Sequence, residues 1–317
     1  MAQLKTPVAL IVFNRPGQTE RVFAAIRKAR PARLFVIADG PRPDRSGEAE
    51  LCRQVREVVS AVDWPCDVQT NFADKNLGCR RRVASGLNWV FSLAEEAIIL
   101  EDDCLPDPSF FLFCSELLNR YREEKRIAVV SGHNAFANRL QTGYSYFFSP
   151  MVAVWGWATW RRAWQEYDEN LKTWPQLKTS GFLRRILPDK KAVAYWTHVF
   201  DNMHAGTGPN TWDYQWVYTC WTRDWVSIVP SRNLIQNIGF GADATHTVTE
   251  NPDYAIAAES MYPPFRHPPD ITISAEHPRL LHRRFYTPTF LHKIRRKLLS
   301  LRSGNRAASS PVSVSTQ

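Results

Sequence analysis

The sequence predicts an α/β domain built on a largely parallel sheet. From residue 7 to about 132, short β-branched runs of buried-strand length alternate with longer stretches compatible with helices. The polar and charged residues of this region gather where those runs end. At 317 residues, with 44% apolar and 12% aromatic content, the chain is long enough to bury a sizeable core.

The first strand is expected in "PVALIVFN", which ends in Asn14-Arg15, and a helix follows over 17–30. "RLFVIADG" supplies the second strand and ends in Asp39-Gly40, ahead of a helix over 46–61. "CDVQTNF" is the third, followed by Asn76-Leu77-Gly78 and by Arg80, Arg81 and Arg82 at the start of a helix over 80–94. "EEAIILEDD" is the fourth, and it delivers Glu101, Asp102 and Asp103. Asp107 is placed to cap a helix over 108–124, and "RIAVVSG" completes the series. In such sheets ligands bind beyond the carboxyl ends of the strands, so four loaded strand ends imply one crevice.

Adjacent carboxylates repel one another and need a compensating charge. A hard divalent cation, Mn²⁺ or Mg²⁺, is the natural partner for Glu101, Asp102 and Asp103, with substrate phosphates completing its shell. Arg15 and the Arg80–Arg82 run would add guanidinium groups suited to a diphosphate. Asp39 would accept hydrogen bonds from a ribose or a base. The plainer alternatives are an acidic turn, a solvated first helical turn and a turn-stabilising aspartate, respectively.

Ten of the twelve tryptophans lie between residues 155 and 225, with no fixed-period repeat. Six cysteines without a C-x-x-C pair suit packed, reduced thiols and argue against a disulfide framework or a zinc site. No P-loop, G-x-S-x-G, H-E-x-x-H or protein-kinase signature occurs, and "GFGADA" at 239–244 does not follow the first strand of a βαβ unit.

The net charge of +9 is not a nucleic-acid footprint, because residues 1–278 balance 31 basic against 31 acidic side chains. Residues 279–317 carry nine basic side chains and no acidic ones. There "TFLHKIRRKLLSLR" sets Phe290, Ile294, Leu298 and Leu301 at helical spacing, a pattern fitted to an anionic membrane surface or to packing on the body. The amino terminus is too short in apolar residues for a signal h-region or a span, which makes a cytoplasmic chain, peripheral on the inner membrane face, the expectation.

Taken in order, Asn14-Arg15, Asp39-Gly40, "NLG" at 76–78, "EDD" followed by "PDPSFF", "WGWATWRRAW", "TWDYQW" and "NIGFGADATHT" resemble the GT-A glycosyltransferases related to N-acetylglucosaminyltransferase I and their bacterial counterparts. The resemblance spans roughly residues 7–250. It implies a Rossmann-like, three-layer α/β/α sandwich in which residues 1–132 bind a nucleotide-sugar and 133–275 form the acceptor and catalytic half. A basic tail over 276–317 would follow.

It further implies that Asp103 contacts the metal, that Glu101 and Asp102 contact the nucleotide-sugar together with Asn14, Arg15, Asp39, Arg80 and Arg81, and that His246 is a further metal-ligand candidate. An inverting transferase needs a base for the acceptor hydroxyl, and the resemblance assigns Asp213, which the surrounding aromatic residues would partly desolvate. Trp155, Trp157 and Trp212 are the acceptor-side candidates, because sugars present apolar C–H faces to aromatic rings.

The expected function is transfer of a sugar from a nucleoside diphosphate donor, UDP-linked by expectation, to a hydroxyl of a glycan or glycolipid, with no nucleic-acid partner. Its rivals are a sugar-1-phosphate nucleotidyltransferase and a non-catalytic, membrane-associated basic protein.

Overall fold

Alternation along the first strand decides the layering. Val8, Leu10 and Val12 pack into one core cluster while Ala9 and Ile11 pack into another, so both faces of the strand are covered. The computed structural model describes residues 3–140, 142–239 and 256–286.

The first half follows the expected order: β1 Val8–Val12, α1 Pro16–Ala29, β2 Arg33–Ala38, α2 Glu48–Ser60, β3 Asp67–Phe72, α3 Cys79–Leu93 and β4 Glu96–Glu101. A short strand that the sequence did not announce, β5 Cys104–Pro106, precedes α4 Pro108–Arg120 and β6 Ile127–Ser131. Asp107 caps α4 as expected, accepting from the Ser109 N–H at 2.8 Å.

The second half adds β7 Tyr146–Ser149, β8 Trp157–Trp160, α5 Arg161–Trp164, α6 Trp174–Thr179, α7 Phe182–Ile186, α8 Lys190–His204 and α9 Asp213–Thr222. β9 Val226–Pro230, β10 Ile235–Asn237 and α10 Glu276–Leu281 follow, and a π-helical turn at His282–Tyr286 ends the described chain.

One eight-stranded sheet runs in the order β3-β2-β1-β4-β8-β6-β9-β7. The β3-β2-β1-β4 portion is parallel, whereas β8 lies antiparallel between β4 and β6, so the sheet is mixed. Helices α1, α2 and α4 cover one face, and α3, α5 and α9 cover the other. The expected three-layer α/β/α sandwich is therefore present, with strands from both halves of the chain in one sheet. A separate helical cluster centred on Trp174, Trp196, Phe200 and Trp221 packs beside it.

All six cysteines are free. Among the described residues no helix is long and apolar enough to cross a membrane. The amphipathic segment at 290–301 lies outside the described residues.

Gly156 joins the layers. Its φ of +59° is costly for any residue with a Cβ, and a Cβ there would come within 2.3 Å of the Ile235 side chain. Its carbonyl accepts from the Gly132 N–H at 2.8 Å. Gly156→Ala is expected to destabilise the fold by about 2–4 kcal/mol, read as a lower urea midpoint at unchanged slope.

Candidate functional site

In the parallel portion β1 connects outward to β2 and β3, and the chain then returns to place β4 on the other side of β1. The crevice between β1 and β4 is the topological switch point, the usual ligand position of such sheets. Arg15 leaves the end of β1 there, and the three carboxylates leave the end of β4.

The Arg15 guanidinium lies between two of these carboxylates. One of its nitrogens, Nη2, donates to Asp102 Oδ1 and, at 3.0 Å, to Asp103 Oδ2. Asp102 is almost fully buried, so this ion pair is shielded from water. Arg15 thus offsets part of the cluster's charge within the protein itself, and Asp102 is engaged by it. The expectation that Asp102 contacts the nucleotide-sugar is corrected accordingly, and Arg15's first partner is protein.

One arginine does not balance three carboxylates. Burial, then the charges of Asp103, Asp102 and Asp213, pushes the Glu101 carboxyl well above its ordinary range. Burial also raises Asp102, against the opposing pull of Arg15.

Asp39 does not wait for a ribose. Its carboxylate accepts from the N–H groups of Gly40 and Leu77 at 2.9 Å, of Gly78 at 3.1 Å, and from Asn76 Nδ2 at 3.0 Å. Four bonds fill the lone-pair positions of a carboxylate, so the nucleotide-contact reading of Asp39 is corrected: it builds the "NLG" loop. Asn14 Nδ2 donates to Glu48 at 3.0 Å.

The arginine run divides. Arg82 is buried and donates to the carbonyl and side chain of Asn71. Arg80 donates to the Glu169 carbonyl, while Arg81 is exposed. Arg80 and Arg81 line an open, polar cleft of about 500 Å³, whose far wall is Gly206, Gly208, Pro209 and Asn210. Asn210 Oδ1 accepts from the Arg80 N–H at 3.1 Å, tying that wall to the start of α3.

Asp213 opens α9 on the other side. Its carboxylate accepts from Thr211 Oγ1. After burial itself, Glu101, Asp213, Asp39 and Asp103 all push the Cys79 thiol up. Cys79 sits at the first turn of α3, and the sequence reading passed over it.

The aromatic candidates separate by burial. Trp157 and Trp212 are 1% and 2% exposed and stack on each other at 5.6 Å, with Trp216 also 5.6 Å from Trp157. Their assignment as acceptor platforms is corrected: they are core, holding α9 against the sheet. Trp155 is partly exposed and lines a pocket of about 170 Å³ together with Asp213.

Two imidazoles that the sequence reading missed line the same pocket. Burial lowers His133 to about 4 and His277 to about 3, so both are neutral at pH 7. His277 Nδ1 shares a 2.8 Å hydrogen bond with Ser149 Oγ. Leu281, Phe285 and Tyr286 form another wall, so the start of the expected tail is folded onto the body.

Among the described residues, no three His, Cys, Asp or Glu side chains are grouped to hold a metal. A Cβ at Gly239 would come within 2.3 Å of Asp103 Oδ2, so only a glycine lets the chain pass this close to that carboxylate. The Asp103 side chain is partly exposed, and Mg²⁺ and Mn²⁺ commonly take one or two carboxylates and fill the shell with phosphate and water. His246 lies outside the described residues.

No family model matches the chain. No curated protein matches it. Among solved structures, a mannosyltransferase from Pyrobaculum calidifontis in complex with GDP-Man and Mn²⁺ is similar over 70% of both chains, at 11% identity and a TM-score of 0.37. A UDP-glucose pyrophosphorylase complexed with UDP-glucose is similar over 44% of this chain and 67% of that one, at 11% identity and a TM-score of 0.24. Overlaps this loose assign nothing by themselves, and the case rests on the chain's own geometry.

Two consequences are measurable. Arg15→Met leaves Asp102 buried without its partner and is expected to cost about 3–5 kcal/mol, whereas adding Asp102→Leu recovers most of it; urea unfolding of both variants checks this. His277 stays neutral in the fold down to about pH 3 but takes a proton near 6.5 when unfolded. The unfolded chain therefore binds more protons below pH 6.5. Stability fully present above that pH is expected to fall as the pH drops, by at most about 1.4 kcal/mol per pH unit for this residue. Tm measured from pH 7 to 4.5 should show this, with a flatter profile in His277→Gln.

Proposed function

We propose that the protein is a metal-dependent, inverting GT-A glycosyltransferase that moves a sugar from a nucleoside diphosphate donor to a hydroxyl of a glycan or glycolipid. One observation supports the reading: Asp213, at the start of α9, is among the charges that push the Glu101 carboxyl above its ordinary range. On this reading a metal-side carboxylate and a separate candidate base would serve one site.

Asp103 would hold the cation. When bound, a divalent ion would offset the negative charge that builds on the departing diphosphate. Arg81, exposed in the polar cleft, is the free guanidinium nearest the "NLG" loop and would reach donor phosphate oxygens. Arg15 keeps Asp102 and Asp103 in place.

Asp213 would take the proton of the acceptor hydroxyl as its oxygen forms a bond to the anomeric carbon. The bond from that carbon to the diphosphate oxygen breaks on the opposite face, which inverts the configuration. A UDP-linked donor is our first candidate, and residues 1–132 and 133–275 would be the donor and acceptor halves of a single domain. The basic excess after residue 278 supports peripheral contact with an anionic membrane surface.

Mn²⁺ with UDP or GDP at a hundredfold excess over Kd is expected to stabilise the protein by about 2.7 kcal/mol, a shift of several degrees in Tm. Asp103→Ala should lose that shift. Asp213→Asn should keep it while kcat for transfer falls by about 10²–10⁴, with nucleoside diphosphate release as the readout. Release of pyrophosphate instead would assign a nucleotidyltransferase, and ordinary turnover by Asp213→Asn would remove it as the base.

A further inference from the structure

The pocket beside Asp213 is specific enough to say what it accepts. Its volume of about 170 Å³ is close to that of an engineered cavity of about 150 Å³ that holds benzene, so it takes one six-membered ring with a small substituent.

Its chemistry is uneven. Asp213, His133, His277 and Tyr286 are its ionisable groups, and His277 already shares one ring nitrogen with Ser149. A neutral imidazole offers one donor and one acceptor. Elsewhere the lining is Met151, Val154, Val217 and Leu281, with Trp155 presenting an aromatic ring.

A fully hydroxylated hexose would set at least one hydroxyl against the apolar part of this lining. Each one left unpaired costs about 1–3 kcal/mol. A ring in which one hydroxyl is replaced by a methyl-bearing group has the complementary surface.

We propose that the acceptor's terminal unit is a sugar ring carrying a methyl group, as an acetamido or a 6-deoxy substituent, with its methyl against Met151, Val154, Val217 and Leu281 and its reacting hydroxyl toward Asp213. The assignment as acceptor rests on the glycosyltransferase reading. It also makes α10 and the turn after it part of acceptor recognition, since Leu281, Phe285 and Tyr286 close the pocket.

The test is saturation-transfer NMR on the full chain without donor. The probes are the methyl glycosides of N-acetylglucosamine, 6-deoxyglucose and glucose, with octyl glucoside as the chain-bearing control. At least one methyl-bearing ring should bind ten or more times tighter than methyl glucoside, the discrimination expected of one methyl in an apolar pocket, and its methyl protons should receive the strongest saturation. Which of the two binds better distinguishes acetamido from 6-deoxy.

Val217→Phe and Leu281→Trp, which fill the pocket from two different elements, should each weaken that binding tenfold or more in protein that keeps its far-UV spectrum. Equal binding of methyl glucoside, or saturation confined to the octyl chain, would overturn the proposal. Mn²⁺-dependent donor hydrolysis is measured in parallel. Normal hydrolysis without ring preference sinks the pocket assignment alone, whereas ring preference without hydrolysis sinks the transferase reading and leaves the ring selectivity standing.

Discussion

The site depends on one buried ion pair, the Arg15 guanidinium held between Asp102 and Asp103. Buried pairs are poor sources of net stability, because desolvating both charges offsets most of their attraction. What this pair does is geometric. Arg15 belongs to the exit of β1 and the carboxylates to the exit of β4, so the pair spans the switch point and fixes the two loops that a ligand would meet. It also engages Asp102 inside the protein, which leaves Asp103 as the more exposed of the two aspartates.

A partly neutralised cluster is also a poised one. Glu101 and Asp102 are pushed toward protonation when only Arg15 opposes them. A cation arriving with a diphosphate would exchange charge for those protons, and the two ligands would stabilise each other's binding. That coupling requires the cluster to be short of positive charge beforehand, and three carboxylates on one arginine satisfy it.

The parallel half of the fold was legible because its strands are β-branched runs separated by helix-length segments, and the "EDD" ending of β4 follows directly from that pattern. β5, β8 and β10 were not, since strands of three or four residues such as Trp157–Trp160 are too short to establish a period. The same limit explains the site residues that moved. The position of Asp39 at a strand end is visible in sequence, but three of the four donors around it come from a loop 37 to 39 residues away. Trp157 and Trp212 have the composition of a sugar platform and the burial of core, and burial depends on what folds over them. Leu281, Phe285 and Tyr286 read as the start of a basic tail because nothing local marks them as a wall of a pocket near Asp213.

Tryptophan-rich packing then has a purpose beyond filling volume. A catalytic carboxylate must be held to within a fraction of an ångström, and rigid neighbours provide that better than flexible ones. Asp213 begins a helix whose next turns, Trp216 and Trp221, are locked into two different aromatic clusters, while the residue before it, Trp212, stacks on β8. The helix therefore cannot tilt without disturbing the sheet on one side and the helical lobe on the other. With Asp213 as the proposed base, those buried rings would serve the acceptor through its position, and Trp155, partly exposed, would offer a ligand a face directly.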